Sequence, residues 1–114
     1  MKGIEIVMIP AKDRLSSKEF YEKIGLSTLV EAQDPHGEPW IQVGFPGQPT
    51  TLSLAAFYAI ICSTDDIEKE VEVIRAKGID VGEIDVTPHG KFAWLKDPDG
   101  NEICLREAPK GSGK

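Results

Sequence analysis

Apolar residues run from Ile4 to Ile9 with one interruption at Glu5, and Pro10 stops the run. A short apolar run closed by a breaker predicts a strand. Phe57 to Cys62 has the same character and predicts a second. After each run the apolar spacing becomes helical. Ile67, Val71 and Ile74 fall at i, i+4 and i+7, and Phe20, Tyr21 and Ile24 form the comparable stripe. Helices are therefore predicted over residues 15–24 and 67–77. Ser16 with Glu19, and Asp65 with Glu68, have the spacing in which a capping side chain and a reaching carboxylate satisfy free backbone N–H groups. Gly25 and Gly78 supply the left-handed residue that ends each helix. Three further strands follow each helix, over residues 27–31, 40–43 and 51–55, then 81–86, 91–96 and 102–106. Asp97-Pro98-Asp99-Gly100-Asn101 places Pro and Gly where a tight hairpin needs a fixed and a positive φ.

The two halves are copies of one plan. Sliding the chain by 53 residues lays Asp13 on Asp66, Gly25 on Gly78, and Pro35-His36-Gly37 on Pro88-His89-Gly90. The expected fold class is α+β: two tandem βαβββ units, over residues 1–55 and 56–107, form a curved mixed sheet, a partly open barrel with the helices on its convex side. Residues 108–114 are Gly, Ser and Lys rich and read as a flexible tail on a single domain of residues 1–107.

Composition narrows the function classes. The 114 residues are 40% hydrophobic and 28% charged, an ordinary globular balance for one domain. The net charge of −6, with 13 basic against 19 acidic residues, argues against nucleic acid, which needs clustered Lys and Arg. No stretch has the features of a signal peptide or the length of a membrane span, so no membrane partner is expected. Cys62 and Cys104 are far apart, which suits a reducing cytoplasm better than a disulfide framework. A domain this small gains from pairing with a second copy, so a homodimer is expected.

The order of several short motifs resembles the vicinal oxygen chelate superfamily, which includes glyoxalase I, bleomycin-resistance proteins and extradiol dioxygenases. The resemblance spans residues 4–107. It is carried by Asp13 before Phe20-Tyr21 and Ile24-Gly25-Leu26, by Trp40 and Phe45-Pro46-Gly47, by Asp65-Asp66-Ile67 leading to Lys77-Gly78-Ile79, and by the Asp97 to Asn101 turn before Ile103-Cys104-Leu105. It implies a small-molecule pocket on the concave side of the sheet. Metal enzymes of the family place one ligand on each of four strands, and those positions fall here on Ile6, Ser53, Ala59 and Cys104. Ile6 and Ala59 have no donor atom, and Ser53 and Cys104 are not the carboxylates that such a site uses. No metal and no cofactor are expected.

Strand alternation fills in the expected pocket. Met8 shares the face of Ile6, and Phe57 that of Ala59. The resemblance places Phe92 and Trp94 on the concave side. Trp40 and Gln42 join them if the two Pro-containing turns are aligned, whereas the strict offset of 53 turns Ile41 and Val43 inward instead. The ligand-binding set is Ile6, Met8, Trp40, Gln42, Ser53, Phe57, Ala59, Phe92, Trp94 and Cys104. Such an aromatic cage suits stacking of a planar or cationic organic molecule. His36 and His89 sit in Pro-His-Gly turns, and a turn role is favoured over a ligand role. Cys104 reads as a small buried hydrophobe rather than a nucleophile, with no catalytic residue expected. Two functions follow: a metal-independent binding protein holding a small organic molecule, which is preferred, or a lyase, isomerase or dioxygenase with an atypical metal site that uses Glu102, His36 or His89.

Overall fold

The computed structural model describes residues 1–33 and 37–109. The elements run β1 (Gly3–Pro10), α1 (Arg14–Lys23), β2 (Ser27–Gln33), β3 (Pro39–Gly44), β4 (Thr51–Ala55), β5 (Ala59–Ser63), α2 (Ile67–Ala76), β6 (Asp85–Thr87), β7 (Gly90–Lys96) and β8 (Glu102–Glu107). This is the expected α+β plan of two βαβββ units. One compact unit is Glu5–Ala59, and the other joins Met1–Ile4 to the chain from Ile60 onward. The first four residues thus belong with the later unit. Lys2 explains the exchange: its backbone N–H donates to the Ser63 carbonyl at 2.8 Å. Strand pairing is mixed and open, not closed into a barrel, with the order β2-β3-β4-β1 in the first unit and β5-β8-β7-β6 in the second.

In the first unit β1 runs parallel to β4, with Met8 opposite Ser53, and β3 runs antiparallel to β4, with Gln42 opposite Ser53. Ile41, Val43 and Leu54 are fully buried and pack with Ile9, Tyr21 and Leu26, so this is the face that α1 covers. The α1 stripe is weaker than its spacing predicts. Tyr21 reaches the core, but Phe20 and Ile24 are 57% and 58% exposed, and no α1 residue is buried. Leu15, near the start of the helix, is 53% exposed as well.

In the second unit α2 buries Ile67, Val71 and Ile74, the expected stripe, against Ala93 and Leu105, with Cys62 and Leu95 alongside. The helix caps differ from the expected ones. Asp13 and Asp66, not Ser16 and Asp65, accept from the backbone N–H groups of Ser16 and Lys69. These are the two aspartates that the 53-residue offset aligns, because an N-cap carboxylate bonds to the N–H three residues on. Glu107, buried near the same helix start, accepts from the Ile67 N–H at 2.9 Å.

Two strand predictions require correction. Residues 81–84 are not in a strand. The Arg75 guanidinium donates to the Val81 and Gly82 carbonyls at 2.8 and 3.1 Å, satisfying groups that a ladder would otherwise bond. Phe57 lies in the turn before β5 and is 43% exposed, so alternation from Ala59 does not extend to it. The Asp97 to Asn101 turn is built as expected. The Asp97 carboxylate accepts from the backbone N–H groups of Asp99 and Asn101, and Gly100 has a φ of +86°.

Candidate functional site

The first unit has one sheet face covered by α1 and one turned away from it. Since Ile41 and Val43 lie on the covered face, Trp40 and Gln42 lie on the other. The choice left open by the sequence is therefore settled in favour of the turn alignment. The physical reason is a length difference: the chain from Gly37 to Pro46 is one residue longer than that from Gly90 to Pro98, which flips the face relative to the strict offset. Register then places Val30, Gln42, Ser53 and Met8 in one row across four strands, with Ile6 and Thr51 facing each other in the next row.

This face carries an ordered chain of polar groups. The Trp40 indole N–H donates to Gln42 Oε1 at 2.8 Å, and Gln42 Nε2 donates to the Thr51 hydroxyl at 2.9 Å. The indole plane is thereby fixed, and so is the orientation of the Gln42 amide. Thr51 was not among the expected residues, although it stands two positions before Ser53 on the same strand face, and alternation alone points to it. Ile6, Met8 and Ser53 are buried, and Ser53 Oγ has no hydrogen-bond partner among the described residues.

In the second unit Ala93, Leu95 and Leu105 pack on α2, so Phe92, Trp94, Cys104 and Arg106 occupy the opposite face. Trp94 stands opposite Cys104, and Phe92 opposite Arg106, whose guanidinium lies 5.9 Å from the ring centroid. Arg106 also donates to the His89 carbonyl at 2.9 Å. His89 itself is exposed in the turn before β7, its backbone N–H bonded to Thr87 Oγ1. His36 lies outside the described residues. Ala59 is buried at the start of β5, and Cys62 packs on the α2 side of the sheet, away from the Cys104 face.

The family implies a divalent metal, and the residues at the four ligand positions do not fit one. Ile6 and Ala59 are aliphatic. Burial pushes the Cys104 thiol up to about 12, so it stays protonated and neutral near pH 7. That leaves the Ser53 hydroxyl, a poor ligand by itself. Three carboxylates, Asp66, Glu68 and Glu107, do approach one another at the start of α2. Glu107 is committed to the Ile67 N–H, and Glu68 pairs with Lys91 at 2.7 Å, so this cluster already has its donors and cation. Glu102 lies 3.8 Å from Lys96. A shallow groove of about 340 Å³ between the chain start and α2 contains none of the expected site residues. Its charges pair internally, Lys2 with Asp65 at 3.1 Å.

The profile of one family matches residues 3–105, nearly the full chain. The protein belongs to the Glyoxalase/Bleomycin resistance protein/Dioxygenase superfamily. Among solved structures, this superfamily member superposes on methylmalonyl-CoA epimerase from Mycobacterium tuberculosis with a TM-score of 0.82 at 19% identity, covering 98% of this chain and 92% of that one. A hypothetical protein from Bacillus halodurans C-125 gives a TM-score of 0.75 at 13% identity over 97% of both chains. At these identities the likeness shows the shared fold. TnmS3, an antibiotic binding protein from Streptomyces sp. CB03234, is 28% identical over 96% of this chain and 98% of its own, at a TM-score of 0.46, a superposition too loose to support an argument about the site. No curated protein matches the chain. No helix among the described residues is long and apolar enough to cross a membrane.

Proposed function

We propose that this superfamily member is a binding protein that holds a small, flat organic molecule against a sheet face turned away from its helix, and that it does so without a metal ion or other cofactor. The observation that carries this reading is the residue set at the family's ligand positions, Ile6, Ser53, Ala59 and Cys104, together with the aromatic groups around them. Trp40 stands on the face of Ile6 and Ser53, and Trp94 stands opposite Cys104. Indole and phenyl rings offer stacking surface to a planar or cationic ligand. The fixed indole of Trp40 supports the reading further, since a wall already held in place loses little freedom on binding. A protonated thiol at Cys104 also weighs against metal-free nucleophilic catalysis. The ligand-bound species in this reading is a cytoplasmic homodimer, supported by the small size of the domain and by its two widely separated cysteines.

Tryptophan fluorescence gives the test. Chelator-treated protein is screened against planar aromatic and cationic compounds, and the tightest binder is titrated into wild type and Trp94→Ala. Affinity is expected to fall at least about tenfold in the variant while the melting temperature stays close to wild type, because a wall residue contributes more to the site than to the core. Unchanged affinity removes Trp94 from the site.

A further inference from the structure

The row that crosses the first unit contains a serine that ought to cost stability. Ser53 is fully buried, and its Oγ has no hydrogen-bond partner among the described residues. Buried hydroxyl groups are normally satisfied, and one left alone pays its desolvation cost with no return. Directly opposite stands Gln42, whose amide is locked in one orientation: Oε1 takes the Trp40 indole N–H, and one Nε2 hydrogen goes to Thr51. A primary amide has two N–H donors, so one Gln42 N–H is used by neither Trp40 nor Thr51, and Gln42 is the cross-strand neighbour of Ser53. Cross-strand neighbours on one face have Cβ atoms about 5 Å apart, which allows both groups to reach one acceptor atom. Met8 stands opposite Ser53 on the other side, and an unbranched thioether repacks readily to uncover what it flanks.

We propose that Ser53 and Gln42 form a donor pair for a carbonyl-type oxygen on the ligand, with Trp40 as the plane against which the ligand stacks. Resting on the binding-protein reading, this names the ligand class: a flat, neutral molecule bearing a hydrogen-bond acceptor at its edge. Thr51 acts as a positioning residue, holding the Gln42 amide in the orientation that presents Nε2 to the row. The acceptor oxygen takes the Ser53 O–H and the spare Gln42 N–H, and no bond to carbon is made or broken.

Two tricyclic probes of nearly equal shape separate the possibilities: 9-fluorenone, which carries the carbonyl, and fluorene, which has a CH₂ in its place. Both are titrated by tryptophan quenching into wild type, Ser53→Ala and Gln42→Met. The expected result is that fluorenone binds wild type about tenfold more tightly than fluorene and that either substitution abolishes this preference. Equal binding of the two probes by wild type overturns the donor pair and leaves the binding-protein reading in place. A preference for fluorenone that survives in both variants also overturns it. Binding of neither probe overturns the donor pair and the planar-ligand reading together. Melting curves of both variants confirm that the comparison is made on folded protein.

Discussion

Ser53 and Cys104 illustrate how position and environment separate at the scale of single residues. The family resemblance implies a carboxylate at both positions, and both residues are fully buried. The Cys104 thiol has adapted to burial: it remains protonated and directs its Sγ to the Leu105 carbonyl at 3.4 Å. A hydroxyl is a stronger donor and acceptor than a thiol and loses more when it is buried without a partner. Replacing Ser53 with Ala removes a polar atom that has no partner, so thermal unfolding of Ser53→Ala is expected to show unchanged or slightly raised stability. A loss of more than about 1 kcal/mol would show that the hydroxyl is bonded in the free protein, and the argument for its role in recognition would lose its basis. This was not legible beforehand, because a sequence places Ser53 on a face but does not report what surrounds its oxygen.

At the scale of elements, the sequence was most informative where one physical requirement had one solution. The α2 stripe of Ile67, Val71 and Ile74 emerged as read, as did the Asp97 to Asn101 turn. It was least informative where two solutions had similar local cost. Trp40-Ile41-Gln42-Val43 carries large or apolar side chains in both phases, and only packing of Ile41 and Val43 beneath α1 decides between them. The caps moved because Asp and Ser are comparable cap residues and the backbone, not the motif, selects which one sits at the helix start. Residues 81–84 lie outside the sheet, and Arg75 satisfies the Val81 and Gly82 carbonyls from the helix. Gly90 shows an element-scale constraint that can be tested. Its φ is +124°, and a Cβ there would sit 2.5 Å from the Glu107 carbonyl oxygen, on the strand whose Glu107 side chain holds the first N–H of α2. Gly90→Ala is therefore expected to destabilise the protein by about 2 kcal/mol or more, a drop of roughly 10 °C in Tm for a domain of this size. Gly3→Ala, at a position with open space around it, is the control and should melt like wild type. Equal melting of the two variants would mean that β7 and β8 approach less closely than described.

For the molecule as a whole, the superfamily plan and the chemistry expected of it have come apart. The βαβββ units, the helix on one face of each sheet and the shared fold with methylmalonyl-CoA epimerase are all retained. In the function proposed above, Ile6, Ser53, Ala59 and Cys104 stand at the ligand positions that the resemblance implies, and binding by stacking and hydrogen bonds takes the place of coordination. Thermal unfolding of chelator-stripped protein, repeated with Ni²⁺, Zn²⁺, Mn²⁺ and Fe²⁺ in turn, tests that claim most directly. A resident ion at about 100 times its Kd would add roughly 2.7 kcal/mol and raise the midpoint by several degrees. The account predicts the same midpoint with every ion and with chelator. A rise of several degrees with one ion, reversed by chelator, would contradict it and put a metal-dependent reaction in place of the binding function.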